Sequence, residues 1–121
     1  MSKKTAVIGA SPNDARYSFR ATQMLTDYDF EVVPLGIRKG TIGEHHIIVD
    51  WPKEIDDLDT VTLYIGPQRQ PQYYDYIIDL KPKRVIFNPG TENSEFESKL
   101  KDAGIETVKA CTLVMLSTNQ Y

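Results

Sequence analysis

The stretch VIGASPNDARYS, residues 7–18, runs from apolar residues through Gly9, Ala10 and Ser11 to Arg16 and Ser18. Those residue types suit an anion. Glycine lets the backbone come close to a ligand, and the unpaired N–H groups at a helix start sit at the positive end of its dipole. Ser11 adds a hydroxyl, and Arg16 and Arg20 add charge nearby. The spacing is not that of a dinucleotide fingerprint, because Ala10, Ser11 and Pro12 stand where further glycines would follow Gly9. Other loops have the same character: GPQRQP, with Gly66, Pro67, Gln68 and Arg69, and NPGTEN, with Asn88, Pro89 and Gly90. One such loop alone reads as an ordinary strand-to-helix turn. Several meeting at one edge of a sheet point to a phosphate-bearing ligand.

The turn PLGIRKG narrows the choice. NAD sites usually place Asp or Glu at the end of the second strand, where it holds the ribose hydroxyls. Here Arg38 and Lys39 follow that strand, with no acid. Cations suit a phosphate on the ribose, at the 2′ position in NADP or the 3′ position in coenzyme A, unless they only form a solvated turn. Catalytic candidates are few. Cys111 is the sole cysteine; it reads either as a small buried hydrophobe or as a thiol near the ligand, and reactivity would need access and a lowered pKa. His45 and His46 are neighbours in an extended segment, so they point to opposite faces and make a poor metal pair. The chain has neither zinc-type Cys/His spacing nor a GxSxG elbow.

Strands and helices must hold these loops in place. Residues Lys4–Gly9 read as a buried strand, and Ser18 as the cap of a helix with Ala21, Met24, Leu25 and Tyr28 on one face. Glu31–Leu35 is a second strand, expected to lose its pairing at Pro34, which donates no backbone hydrogen bond. Between Gly36 and Asp59 only Ile47–Val49 reads as a short strand, and WPKEIDDLD reads as a surface connection. Thr60–Ile65 is the next strand, followed by a helix over Pro71–Leu80 with Tyr74, Ile77 and Ile78 inward. Arg84–Phe87 is a strand, Ser94 with Glu97 makes a capping box, and that helix ends near Gly104. Ile105–Lys109 is a last strand before an apolar tail.

Strands alternating with helices predict an α/β fold: a Rossmann-like three-layer sandwich with a mostly parallel sheet of about five strands, ordered 3-2-1-4-5. The ligand crevice then lies beyond the carboxyl ends of the strands, where the order reverses. Composition agrees with one domain over residues 1–121. The net charge of −3 argues against nonspecific nucleic-acid binding, and no apolar run is long enough for a membrane span. A single cysteine fits a reducing, cytoplasmic setting.

At VIGASPNDARYS, EVVPLGIRKGTIG, TVTLYIGPQRQ and FNPGTENSEFESKLKDAGIETVKACTLVML the chain resembles the small CoA-binding proteins. These share the Rossmann-like domain that opens the α subunit of succinyl-CoA synthetase. The resemblance runs from about Thr5 to Met115 and departs at PLG, where many relatives have VNP. It implies that Gly9, Ala10 and Ser11 cradle the CoA diphosphate, with Arg16 and Ser18 along the same edge. It places Arg38 and Lys39 toward the 3′-phosphate, Pro34 and Leu35 against the adenine, and Gly66, Pro67, Gln68, Asn88, Pro89 and Gly90 along the crevice. The synthetases work through a phosphorylated histidine in a further domain and an ATP-binding partner subunit, and neither is found in this chain. The resemblance therefore favours a protein that binds coenzyme A or an acyl-CoA without catalytic machinery of its own, alone or beside an acyl-CoA enzyme. An NADP-dependent or Cys111-dependent enzyme, and an interaction module with a vestigial site, stand as alternatives. The tail TLVMLSTNQY packs either on its own sheet or across a homodimer.

Overall fold

The computed structural model describes residues 3–121. In chain order the elements are β1 (Thr5–Ala10), α1 (Tyr17–Asp27), β2 (Val32–Gly36), β3 (Thr41–Ile42), β4 (His45–His46), β5 (Thr60–Leu63), α2 (Tyr74–Asp79), β6 (Arg84–Phe87), α3 (Ser94–Asp102), β7 (Glu106–Lys109) and α4 (Thr112–Ser117). The main sheet is parallel, ordered β2-β1-β5-β6-β7, and β3 with β4 forms a separate small hairpin.

Strand periodicity sorts the core into two layers. Along β1, Ala6 and Ile8 point to the face covered by α2 and α3, where they meet Val61, Leu63, Phe87, Ile77, Phe96 and Leu100. Val7 points to the other face, with Leu25 of α1 and Leu116 of α4. Successive side chains of a strand alternate, so a sheet covered on both faces buries nearly every position, mostly with apolar residues but here also with Thr5, Thr60 and Thr62. Phe96 is fully buried, stacked on Tyr74 at 4.4 Å and edge-on to Phe87 at 5.8 Å. Losing such a ring typically costs about 3–5 kcal/mol.

The expected order 3-2-1-4-5 is met with one refinement. The place of the third strand, outside β2, is held by a single parallel bridge from Leu35 to Ile48. Pro34 explains both this and its own continued pairing with Val7. Its carbonyl accepts from Ile48 N at 2.9 Å, so its missing N–H also faces the outer edge. The ladder toward β1 is therefore intact, and the ladder toward residues 47–49 cannot propagate. Pro34 shapes the edge and does not end the strand.

Local signals shift by a residue or two. The cap position of α1 is Arg16, with no side-chain hydrogen bond, while Ser18 is buried in the first turn. Asn93 caps α3, its side chain accepting from Phe96 N at 3.1 Å, so Ser94 is the first helical residue. The segment Pro71–Leu80 begins as a short 3₁₀ turn and becomes α-helical at Tyr74. The apolar tail folds back as α4, burying Thr112, Met115 and Leu116 in its own molecule. Tyr121 then lies under the Arg84 guanidinium at 4.5 Å, with its hydroxyl against Thr5 Oγ1.

Candidate functional site

The carboxyl ends of β1, β2, β5 and β6 open onto a cavity of about 640 Å³. It begins at Gly9, where β1 slips register between Ile8 and Ala10 and the backbone takes φ +100°. A side chain here would be strained, and its Cβ would lie 3.1 Å from Ile65 Cγ1 and 3.2 Å from the Tyr64 carbonyl. Gly9 is thus required by the fold as well as suited to a ligand. Gly36 serves a different closeness: a Cβ there would come within 2.3 Å of the Ala10 carbonyl oxygen. The turns after β1 and β2 therefore touch backbone to backbone, which brings Arg38 to the same cavity as Arg16.

The first turn keeps donors available. Ser11 Oγ accepts from Asn13 N at 3.1 Å, so its own proton is free to donate outward. The start of α1 has no side-chain cap and no acidic residue in its first turn. Its residues Arg16, Tyr17 and Ser18 all line the cavity. An uncapped helix start presents unpaired N–H groups and a positive dipole end.

Charge sharpens the picture. Arg16, Arg38 and Arg69 line the cavity, and no Asp or Glu among the described residues does. The ion pairs found among the described residues join Lys4 to Glu31, Lys83 to Asp59 and Lys109 to Glu97, leaving these arginines outside any of them. A chain of net charge −3 thus gathers unpaired cations on one wall system.

Of the residues expected at a site, Gly9, Ala10, Ser11, Arg16, Ser18, Arg38, Gly66, Pro89 and Gly90 are brought to this cavity. Lys39 and Gln68 are exposed and lie off its wall, as does the half-buried Pro67. Pro34 and Leu35 are buried within the sheet, Leu35 completely, and do not reach the cavity. Asn88 is buried with its side chain committed: Nδ2 donates to Thr62 Oγ1 (2.7 Å) and to the Leu63 carbonyl (2.9 Å), and Oδ1 accepts from Thr112 N (2.9 Å). Cys111 is half-buried at the start of α4 and does not line the cavity either.

Trp51, Tyr64, Gln72 and Tyr73, none of them expected at the site from the sequence, also line the wall. Trp51 sits in the segment read as a surface connection, and its signal was the presence of the only tryptophan in a polar stretch. Tyr64 follows β5 and carries a buried hydroxyl with no hydrogen-bond partner among the described residues. Thr62 and Thr112 lie beside it but are bonded to each other at 2.8 Å. Burial, the largest influence, pushes the Tyr64 hydroxyl well above the ordinary tyrosine value, so it remains protonated.

Fold and site together define a Rossmann-like α/β domain with an arginine-lined cavity at the carboxyl edge of its sheet. Residues 3–117 match the model of the CoA binding domain family, and the chain belongs to that family. A crystal structure of an uncharacterised protein is 49% identical, with TM-score 0.95 over 100% of this chain and 99% of that one. A hypothetical protein from Pyrococcus horikoshii OT3 is 25% identical, with TM-score 0.83 over 97% of this chain and 83% of that one. A protein from Thermus thermophilus shares the fold at 21% identity, with TM-score 0.82 over 99% and 91% of the respective chains. No curated protein matches the chain.

Proposed function

We propose that the chain binds coenzyme A, free or acylated, in this cavity, as a single cytoplasmic domain. The diphosphate lies against Gly9, Ala10, Ser11 and the start of α1, and the 3′-phosphate of the ribose lies toward Arg38. The observation that carries the reading is the set of unpaired arginines, Arg16, Arg38 and Arg69, on a cavity wall free of carboxylates. Such a wall favours a polyanion, because charge-assisted hydrogen bonds to phosphate are the strong ones and Arg presents a planar fork to phosphate oxygens. Membership of the CoA binding domain family supports coenzyme A over other polyanions.

The role is one of holding the ligand. The Tyr64 hydroxyl stays protonated, and the Cys111 thiol lies away from the wall. Sensing, carrying, or serving an acyl-CoA enzyme as its CoA-holding part are all consistent with that chemistry.

Thermal denaturation with coenzyme A, dephospho-CoA, NADP and NAD in parallel tests the reading. A ligand that binds only the native state raises stability with the logarithm of its concentration over Kd. The expected result is a rise with coenzyme A, a smaller one with dephospho-CoA, and none with the nicotinamides. No rise with millimolar coenzyme A would overturn the proposal.

A further inference from the structure

The chain between Ile47 and Asp59 contains no helix, yet one of its residues is held firmly against the cavity. Trp51 Nε1 donates to the Gly36 carbonyl at 2.9 Å, two residues before Arg38. Its ring stacks on Tyr73 at 4.9 Å and meets Tyr76 at 5.5 Å. The Tyr76 hydroxyl in turn donates to the Pro52 carbonyl at 2.6 Å, which pins the segment from its other side. Both Trp51 and Tyr73 line the cavity, with Gln72 beside them.

We infer that Trp51, backed by Tyr73, is the specificity-determining surface against which the purine base of the ligand packs. This rests on the coenzyme A reading above and adds the residue that selects the base. The geometry favours a base at this wall for several reasons. A large ring half-exposed beside a cavity leaves apolar area that a flat, π-bearing ligand covers, and every base offers such a face. The indole is preorganised by its hydrogen bond to Gly36, so little side-chain freedom is lost on binding. Gln72 lines the same wall with its Nε2 donating to the Arg69 carbonyl at 3.4 Å, and the remaining N–H and the carbonyl oxygen of the amide are the donor and acceptor that an adenine edge pairs with. Finally, the Gly36 bond couples the ring to the turn bearing Arg38, so base and ribose phosphate are read by neighbouring groups.

Because Trp51 is the sole tryptophan, its fluorescence reports this wall alone. The experiment titrates the full chain with 3′,5′-ADP and, separately, with pantetheine, while calorimetry follows coenzyme A on the same protein. The adenosine bisphosphate should change Trp51 emission and pantetheine should not. Trp51→Ala should weaken both coenzyme A and 3′,5′-ADP about tenfold or more. Trp51→Phe keeps a ring but loses the bond to Gly36, and should recover most of the affinity. If calorimetry shows coenzyme A binding while emission is unmoved, or moves with pantetheine instead, the base does not lie at Trp51. Unchanged affinity in a folded Trp51→Ala protein would lead to the same rejection. Absence of any heat with coenzyme A removes the ligand reading itself, and this inference with it.

Discussion

The loop after β1, GASPNDARYS, and the loop after β6, NPGTEN, both pass from glycine and proline into a helix, but their polar groups are used differently. In the first, the helix start has neither cap nor acidic residue, the Ser11 proton is free, and Arg16 is in no ion pair found among the described residues. In the second, Asn93 caps the helix and Glu95 and Glu97 offset its dipole. Asn88 binds β5 and α4, Gln70 Nε2 donates to the Thr91 carbonyl, and the Gly90 N–H donates to Glu92. Asn93 also donates to Gln70 and to the Tyr74 hydroxyl. One loop satisfies the N–H groups of Asn13, Ala15 and Arg16 within itself but leaves the Ser11 proton and the start of α1 uncompensated; the other ties the sheet to its helices. An anion site is marked by what a loop leaves uncompensated, and residue type alone does not reveal that.

The largest effect that could break this contrast is Asn88→Ala. It removes hydrogen bonds that satisfy Thr62, the Leu63 carbonyl and the Thr112 N–H inside the protein. Chemical denaturation should show a loss of about 2–4 kcal/mol, with coenzyme A affinity in the folded protein little changed. A stable variant that has lost the ligand would instead place Asn88 in the site.

A smaller and opposite signature is expected from Arg38→Ala. Arg38 is exposed and free of ion pairs among the described residues, so stability should stay within about 0.5 kcal/mol. Affinity for coenzyme A should fall about tenfold, and the preference over dephospho-CoA should shrink with it. An unchanged preference would move the 3′-phosphate away from this turn.

The smallest effect concerns the wall between the loops. Burial holds the Tyr64 hydroxyl above the ordinary tyrosine value of 10.0, so the folded chain keeps that proton more tightly than the unfolded chain does. Below about pH 10 both states are protonated and this contribution to stability is fully present. As pH rises further the unfolded state loses its proton first, and stability declines. Thermal melts across that range should show a shallower decline for Tyr64→Phe. At neutral pH the variant should match the wild type within about 1 kcal/mol, since the hydroxyl has no hydrogen-bond partner among the described residues. A large loss at neutral pH would mean that Tyr64 binds its threonine neighbours after all.

Much of the fold could be read from one chain because it rests on local pattern. The apolar run at β1, the β-branched TVTL of β5 and the spacing of Phe96 and Leu100 in α3 each reflect a strand or helix period. Readings failed where a neighbour decided the outcome. Pro34 looks like a strand breaker until the direction of its missing N–H is known, and Ser18 looks like a cap until α1 is seen to start at Tyr17. The tail showed only that its apolar residues needed cover, and its packing on α1 through Leu116 depends on contacts distant in the chain.

The sequence by itself determined the alternation of strands and helices, the Gly9 turn and the cations Arg16 and Arg38, because these depend on residue type and on spacing along the chain. Only the tertiary structure decided which groups face the cavity. Leu35 and Asn88 turned inward, Lys39 and Gln68 stayed off the wall, and Trp51 came to it from a segment with no regular pattern. The physical reason is that a cavity is made of groups left over after packing and hydrogen bonding are satisfied. Those partners come from β5, β6 and α4, far away in the chain.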